Sequence, residues 1–404
     1  MRIAFTANGP GEVAGWLRPL LRALYERRPD LEAIVFLVPD DYATGFEAAM
    51  IREAFPHARV VEPKRYLKFA LGSAAGELPR SADAVVYLGG DLLHVARLHA
   101  RLKGRAATYK FSRSRYRTLF DRAFAVDERN VVELERWGTP PERIEQVGNL
   151  VIDGALFEAG LEAEPGAPED GILFMPGTRP YEVENLIPFY FGVALRIRRE
   201  RPDLPMALGI SPFTPRERVR EAIERGGHPR MFGIAGRLER DGERDYLTTA
   251  AGDVRIPVLY RTLAGAKRAR LVLTIPGTKT IELAALGKPM VTMTPLNAPE
   301  VVAINGPLTY LNRIPFVGIP LKRAVAVGVS RRFKYHTQPN IDAGAMLIRE
   351  EHGTVTPGRI ARIALQRYDD TEWLASSSHA LAALYRGHAG ASDRMADALL
   401  ALAG

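Results

Sequence analysis

Short apolar runs alternate with amphipathic stretches along the first part of the chain, and this alternation predicts alternating strands and helices. The stretch 12–28 places its apolar side chains, among them Trp16, Leu20 and Leu24, on one face of a helix. The apolar runs between such stretches are continuous, which is typical of parallel strands buried on both faces. Strands are predicted at residues 2–7, 33–38, 59–62, 84–89, 106–109 and 122–126.

The acidic stretch 158–170, which contains Gly and Pro, interrupts this rhythm and is interpreted as an interdomain linker. A second cycle follows, with strands predicted at 171–177, 206–211, 255–260, 270–275 and 289–293. We therefore expect two doubly wound α/β domains, at residues 1–157 and 171–370. The helical residues 371–404 are expected to pack back on the first domain.

Composition narrows the class of protein. Of 404 residues, 47% are hydrophobic and 25% are charged, which is ordinary for a soluble globular protein. The absence of cysteine excludes disulfides, thiolate metal sites and cysteine nucleophiles. His336 and His352 lack metal-ligand spacing, so we expect no metal. The sequence has no apolar run of roughly 18 residues and no signal-peptide pattern, so we expect neither a membrane span nor a cleaved leader.

The charge balance favours an anionic partner. Lys and Arg number 55 against 47 Asp and Glu, a net charge of +8, which suits phosphorylated metabolites, nucleic acid or an anionic membrane. Signatures of nucleic-acid-binding folds are missing, so no nucleic acid is expected, and a nucleic-acid-binding protein is the non-enzymatic alternative. The stretches 65–71 and 321–335 mix cations with apolar residues. Each is interpreted as a contact with an anionic bilayer surface or as an amphipathic helix with a solvated basic face.

Three glycine-containing turns follow predicted strands and precede predicted helices. They lie at residues 9–15, 175–179 and 274–282. Amides at a helix N-terminus bind anions, and glycine lets a ligand approach the backbone closely. The turns have the spacing of neither a GxGxxG fingerprint nor a P-loop.

The third turn suits a nucleotide diphosphate. Gly277, Thr278 and Thr280 can donate to phosphate oxygens. Glu282 follows on the first turns of the helix, where it can accept from both hydroxyls of a ribose. The structural alternative is an ordinary βα turn with a capping threonine.

The second turn adds a cation to the same arrangement. Arg179 stands beside Gly177 and Thr178, where a guanidinium suits a phosphate. The structural alternative is an ion pair between Arg179 and Glu182 across one helical turn.

Together, these motifs resemble those of lipid-A-disaccharide synthase and its relatives. The stretch 274–291 is similar to the donor-nucleotide helix of that family, and 173–188 is similar to its strand, Pro-Gly-Ser-Arg turn and Glu-bearing helix. The remaining matches, in family order over about residues 1–365, are at 11–12, 88–91, 147–153 and 339–344.

The departures from the family pattern concern the acceptor more than the donor. Position 149 is Asn rather than His, and position 12 is Glu rather than Asp. The family's aromatic Ser-Pro-X-Trp-Ala-Trp stretch is missing, and residues 110–115 stand near its place. Ala345 and Met346 replace an Arg-Glu pair. The residues that the resemblance implies for the acceptor side of the cleft are Gly9, Gly11, Asn149 and Asn340.

The resemblance implies a GT-B fold, in which two doubly wound, Rossmann-like α/β domains face a central cleft. It also implies inverting transfer of an acylated glucosamine from a UDP-linked donor to a lipid-linked sugar acceptor. Helix N-termini and cations would stabilise the departing UDP, with no cofactor or metal. Such an enzyme would be cytoplasmic and peripherally bound to the inner face of the cytoplasmic membrane.

Sugar transfer needs a base for the attacking hydroxyl. We expect Asp91, which ends a strand beside two glycines, to be this base, with Glu12 as the second candidate. The structural alternatives are that Asp91 caps the helix 92–103 and that Glu12 complements a helix dipole. His94 and His99 are interpreted as packing or outward-facing residues.

The enzymatic alternative is another UDP-sugar enzyme of the same fold, with a different acceptor or acting as a UDP-sugar 2-epimerase. Residues 177–180 are similar to the start motif of the epimerases. That string lies in the second half of this chain rather than at the N-terminus, which argues against the epimerase.

Overall fold

The computed structural model describes residues 1–39, 45–72, 78–298 and 333–404. These residues form two compact units. The first unit comprises Met1–Gly154 together with Arg386–Gly404, and the second comprises Ala155–Tyr385. Most of the basic stretch 321–335 lies outside the described residues.

The first unit is built on a seven-stranded sheet. Its strands are β1 Arg2–Ala7, β2 Glu32–Leu37, β3 Arg59–Val61, β4 Ala84–Tyr87, β5 Arg105–Tyr109, β6 Arg122–Ala125 and β7 Ile144–Gln146. They are all parallel, in the order β3-β2-β1-β4-β5-β6-β7. Phe5, Phe36 and Phe124 are fully buried. The structure confirms the parallel sheet that the continuous apolar runs predict.

Helical segments of the first unit connect these strands. They are α1 Pro10–Glu12, a π-helical turn Val13–Leu17, α2 Arg18–Arg27, α3 Glu47–Ala54, α4 Pro63–Ala70, α5 Leu92–Leu102 and α6 Glu128–Arg136, together with α7 Leu150–Gly160, which begins in the first unit and ends in the second. The apolar face predicted for residues 12–28 is buried at Leu20, Leu21 and Leu24. The structure divides that predicted helix into α1, the π-helical turn and α2.

The second unit contains an eight-stranded sheet. Its strands are β8 Ile172–Phe174, β9 Met206–Gly209, β10 Arg237–Asp241, β11 Arg244–Thr248, β12 Arg255–Leu259, β13 Leu271–Thr274, β14 Met290–Pro295 and β15 Arg349–Gly353. The order is β10-β11-β12-β9-β8-β13-β14-β15, and only the pairings of β11 are antiparallel. The sequence does not predict the edge hairpin of β10 and β11, because both strands are rich in charged residues.

The helices of the second unit include a long one, α8, that carries much of the core. Phe189, Tyr190 and Phe191 are buried on it, and the Tyr190 ring lies 5.6 Å from that of Phe174 on β8. The helices that follow α7 are α8 Pro180–Glu200, α9 Arg216–Arg225, α10 Thr262–Arg268, α11 Thr278–Ala285, α12 Gln338–Ala343, α13 Pro357–Asp369, α14 Thr371–Tyr385 and α15 Ala391–Ala403.

The structure differs from the expected division at the C-terminus. Of the residues 371–404, α14 belongs to the second unit, and only α15 with the turn before it belongs to the first. Asp153 anchors that turn, because its carboxylate accepts from the backbone amides of Gly390 and Ser392 at 2.7 and 2.6 Å. Tyr385, at the end of α14, donates to Asp342 of the second unit at 2.8 Å.

The acidic stretch 158–170 is more than a connection. Glu158 still lies in α7, and its carboxylate accepts from the Leu263 amide at 3.0 Å. Glu164 accepts from the amides of Tyr260 and Arg261 at 2.6 and 2.7 Å. These acids therefore satisfy amides at the start of α10, where a helix leaves its donors unpaired.

Candidate functional site

Each sheet reverses its strand order at one point. In the first unit, β1 is followed by β2 on one side and by β4 on the other, and in the second unit β8 lies between β9 and β13. In open α/β sheets, ligands bind beyond the carboxyl ends of the strands at such a reversal. The turns after β1, β4, β8 and β13 are the segments that the sequence analysis singles out.

The turn after β1 directs a carboxylate towards the turn after β4. Glu12 ends α1, just before the π-helical turn, and such turns often occur at functional sites. A Cβ atom added to Gly89 would overlap the Glu12 carboxylate and come within 3.0 Å of Asn8 Oδ1. The absence of a side chain at Gly89 therefore creates the space that Glu12 occupies.

The turn after β4 carries the other candidate base. Asp91 accepts from the Leu93 amide at 2.8 Å, as the cap of α5, and its side chain is exposed. The structural alternative of a helix cap is thus present, and it leaves the second carboxylate oxygen open to other roles. The Tyr87 hydroxyl donates to the Gly90 carbonyl at 2.8 Å and braces this turn.

The pKa of the Tyr87 hydroxyl responds to the charges around this turn. Burial raises the pKa of its hydroxyl, and the negative charges of Glu12 and Asp91 raise it further, while Arg113 opposes them. Both candidate bases therefore act on one buried hydroxyl, with a cation nearby. No motif in the sequence points to Tyr87 or Arg113. Tyr87 ends β4 just before this turn, whereas Arg113 comes near it only when β5 pairs with β4.

His94 packs against its neighbours near the same turn, which is the first of the two interpretations given for it above. Its Nδ1 lies 2.7 Å from the Tyr66 hydroxyl, and the two rings are edge to face at 5.3 Å. Burial lowers the pKa of His94, although the charge of Asp91 opposes this. The imidazole is therefore mainly neutral at pH 7, since the unperturbed pKa is about 6.5.

The residues implied for the acceptor side have different environments. Gly11 is exposed with open space around it, and the Gly9 amide donates to Asn8 Oδ1 at 2.7 Å. Asn149 accepts from the Val151 amide at 3.1 Å at the start of α7.

The structure contradicts the acceptor-side role expected for Asn340. It is fully buried in the second unit, and its amide nitrogen donates to Ile348 O and to the Glu350 carboxylate. Its oxygen accepts from the amides of Leu347 and Ile348, both at 2.8 Å. The side chain uses its hydrogen-bonding capacity internally and holds α12 to β15, so it has none left for an acceptor sugar.

The turn after β8 also departs from its expected role. The Glu182 carboxylate accepts from the amides of Thr178 and Arg179 at 2.9 and 3.0 Å, which caps α8. Gly177 has φ +102°, and a Cβ there would overlap this carboxylate. The two amides expected to bind diphosphate are therefore occupied by Glu182. The Arg179 guanidinium lies 3.6 Å from Glu182, as the structural alternative predicts.

The turn after β13 is more open. Gly277 has φ +152°, a conformation that favours glycine, and nothing lies within 4 Å of the position of an added Cβ. Thr278 is exposed at the first position of α11. The structure contradicts the expectation that Thr280 donates to phosphate, because its hydroxyl is fully buried and donates to Gly277 O at 2.7 Å. It stabilises the turn and does not reach a ligand.

Glu282 is 8% exposed and forms an ion pair with Lys279, whose Nζ lies 2.6 Å from Glu282 Oε2. Sequence reasoning does not single out Lys279, although its spacing of three residues from Glu282 is a signal for such a pair.

The two turns of the second unit lie side by side. The strands β8 and β13 pair in parallel, with Leu273 opposite Phe174. The Thr274 hydroxyl donates to Met175 O at 3.1 Å, and Ile275 Cδ1 lies 2.9 Å from where a Gly177 Cβ would be. The two turns are thus in contact beyond the carboxyl ends of β8 and β13.

A cavity of about 430 Å³ lies at the other end of the strands, next to the residues that precede β13 and β14. Arg268 and Arg270, in its lining, form ion pairs with Glu169 and Asp170 at 3.2 and 3.5 Å. Lys288 donates to the carbonyls of Lys267 and Ala269. These cations have structural partners, so the cavity is not the candidate site.

Within the described ranges, no group of three or more His, Asp or Glu residues could hold a metal ion. In the same part of the chain, no helix has the length and apolarity needed to cross a bilayer.

No protein-family model matches this chain. A lipid-A-disaccharide synthase from Ruegeria pomeroyi is 27% identical over 164 residues, which span 41% of this chain and only 36% of that protein.

Solved structures align over nearly the whole chain. The UDP-GlcNAc 2-epimerase from Neisseria meningitidis bound to UDP-GlcNAc has a TM-score of 0.56, 12% identity, and coverage of 99% of this chain and 100% of that one. The S. aureus MnaA–UDP co-structure has a TM-score of 0.57, 16% identity and coverage of 99% and 97%. A putative UDP-N-acetylglucosamine 2-epimerase from Listeria monocytogenes has a TM-score of 0.56, 15% identity and coverage of 99% and 96%. These similarities confirm the expected fold, a two-domain Rossmann-like α/β fold of the GT-B type.

Proposed function

We propose that this protein is an enzyme that acts on a UDP-linked sugar and binds its nucleotide at the start of α11. One observation carries the proposal: at the strand-order reversal of the second sheet, the backbone at Gly277 and Thr278 is open, and Glu282 follows on the next turn of the helix. Helix amides suit a diphosphate, and a carboxylate can accept from two ribose hydroxyls.

The comparisons support a UDP-sugar as the ligand. The S. aureus structure contains UDP and the N. meningitidis structure contains UDP-GlcNAc, and both share this fold over 99% of the chain. The donor-helix motif at 274–291 resembles that of lipid-A-disaccharide synthase, and a member of that family is the R. pomeroyi relative.

Two reactions on such a sugar are candidates. In inverting transfer, an acceptor hydroxyl attacks C1, the bond from C1 to the UDP oxygen breaks, and a carboxylate takes the hydroxyl proton. The motifs that follow the order seen in lipid-A-disaccharide synthase, and the R. pomeroyi relative, favour this reaction. In 2-epimerisation, a base removes the proton at C2 while the bond from C1 to the UDP oxygen breaks, which gives a 1,2-unsaturated sugar. UDP then adds back at C1, and a proton is delivered to C2 on the other face. The similarity to 2-epimerases over 99% of the chain favours this reaction. For either reaction, we propose Glu12 and Asp91 as the candidate bases.

Incubation with UDP-GlcNAc in deuterium oxide, followed by NMR, separates the two reactions. An epimerase produces a second UDP-sugar that is inverted at C2 and carries deuterium there, without an acceptor. A transferase leaves C2 unlabelled and releases UDP only when a UDP-linked acylated glucosamine is supplied with a lipid-linked glucosamine acceptor. If neither product forms in either mixture, the proposed function is wrong.

A lipid-linked acceptor would bring the protein to a membrane, and α4 supports this part of the proposal. Tyr66 packs inward from α4, whereas Leu67 and, just after the helix, Leu71 are 41% and 71% exposed. Lys64 and Lys68 are exposed on the same helix. Such a surface suits the headgroup region of an anionic bilayer at the inner face of the cytoplasmic membrane.

A further inference from the structure

Lys279 and Glu282 form a largely buried ion pair on the first turns of α11. The side chains are 25% and 11% exposed, and their charged atoms are 2.6 Å apart. The pair lies where the second sheet reverses its strand order, beside the open backbone at Gly277.

Two features of this position disfavour a cation, and nearby carboxylates oppose them. The N-terminus of a helix carries a partial positive charge that repels cations, and burial also disfavours an ammonium. Burial lowers the pKa of Lys279, but the carboxylates of Glu282 and Glu158 more than offset this and leave that pKa raised. Lys279 is therefore charged at pH 7, and its charge depends on these carboxylates rather than on the helix terminus.

The neighbouring turn shows why a cation is needed here. The amides of Thr178 and Arg179 already bind the Glu182 carboxylate, so they contribute little to a second anion. A diphosphate beside Gly277 would meet the amides of α11 and the Lys279 ammonium instead. Its negative charge would offset both the helix dipole and the desolvation of the lysine.

We propose that Lys279 recognises the diphosphate and releases Glu282 when the nucleotide binds. Without ligand, the ammonium is held by Glu282. With UDP bound, the ammonium turns to the diphosphate oxygens, and the freed carboxylate oxygen accepts from the ribose. The inference rests on the proposed function, and it makes Lys279 the residue that distinguishes a nucleoside diphosphate from a nucleoside.

Isothermal titration with UDP and with uridine tests this discrimination. The parent protein should bind UDP more tightly than uridine. Lys279→Met should lose about 10- to 100-fold in UDP affinity, the range for one hydrogen bond to a charged group. Its uridine affinity should stay the same or rise, because Glu282 is no longer held by the ammonium. Lys267→Met, at an exposed lysine on α10, is the matched control and should behave like the parent.

The outcomes separate the inference from the proposed function. If the parent binds no UDP, both are wrong. If the parent binds UDP and Lys279→Met keeps the ratio of UDP to uridine affinity, only the role of Lys279 is wrong. Lys279→Gln, which can still donate to Glu282, replaces Lys279→Met if the latter does not fold. It should show the same loss of discrimination, and an unchanged ratio in that variant also overturns the inference.

Discussion

At the scale of single residues, the missing side chain of Gly89 determines where the Glu12 carboxylate can lie. A methyl group at Gly89 would collide with the end of the flexible Glu12 side chain, which can move aside without disturbing the fold. Gly89→Ala should therefore lower the turnover rate about as much as Glu12→Gln, by ~10²–10⁴-fold if Glu12 is the base. Steady-state kinetics and thermal melting on both variants would check this prediction.

The control for that prediction is Gly160→Ala at the end of α7, an exposed glycine where an added Cβ meets nothing within 4 Å. It should turn over like the parent. Full activity of Gly89→Ala together with a large loss in Glu12→Gln would show that the contact does not matter for catalysis.

Asp91 combines a capping contact with a possible role as the base. Asn caps helices as well as Asp does, so Asp91→Asn keeps the bond from the Leu93 amide and removes only the basicity. If Asp91 is the base, the rate should fall by ~10²–10⁴-fold with little change in melting temperature. If Asp91→Asn turns over like the parent while Glu12→Gln does not, Glu12 is the base.

Residue environments were only partly predictable from the sequence. The capping contact of Asp91 follows from its place before a helical pattern, and the pair of Arg179 with Glu182 follows from their spacing. The burial of Asn340 and Thr280 could not be predicted, because it depends on which strands and turns surround them. The contact of Glu12 with Gly89 likewise arises only when β1 pairs with β4.

At the scale of elements, α15 is held to the first unit by Asp153. That carboxylate accepts from two backbone amides and from the Ser392 hydroxyl, at 2.6 to 2.7 Å. Asp153→Ala removes all of these acceptors and should lower the free energy of unfolding by at least ~1.5–3 kcal/mol, the cost of one such charged hydrogen bond. Urea unfolding, with the exposed Asp203→Ala as control, measures the difference. Equal stability of both variants would contradict this role for Asp153.

The helix α4 carries the prediction about membranes. Basic residues near an anionic leaflet contribute about 1 kcal/mol each, and the exposed leucines add apolar burial. The parent should co-sediment with anionic vesicles, and less so at high salt, because charges are screened within ~10 Å at 0.1 M. The double variant Leu67→Glu/Leu71→Glu should lose this binding, whereas Val132→Glu, on the exposed part of α6, should keep it. Equal, negligible binding of the parent to anionic and neutral vesicles would reject the membrane proposal.

Elements with continuous apolar runs were the most predictable, since those runs identify buried parallel strands. The sequence pattern does not predict the hairpin of β10 and β11, because its residues are mostly charged and it forms the edge of the sheet. The acidic composition of 158–170 predicts a linker, but Glu158 and Glu164 use those charges to satisfy amides at the start of α10.

At the scale of the whole molecule, the repeated cycle of strands and helices predicted the fold class, which the similar structures confirm. The affiliation of α14 and α15 was harder to predict, because both are helical and rich in small residues. Contacts that form only in the folded chain establish it, among them those of Asp153 with the turn before α15 and of Tyr385, at the end of α14, with Asp342.

Isothermal titration of UDP into the parent, Glu282→Ala and Glu224→Ala is the decisive measurement of whether the start of α11 binds UDP. Glu224 is an exposed residue on α9 and serves as the matched control. The parent and Glu224→Ala should bind UDP equally, and Glu282→Ala should bind it more weakly by ~1.5–3 kcal/mol, the range for a hydrogen bond to a charged group. Unchanged UDP affinity in a folded Glu282→Ala protein, or no UDP binding by the parent, would show that UDP does not bind at the start of α11 as proposed.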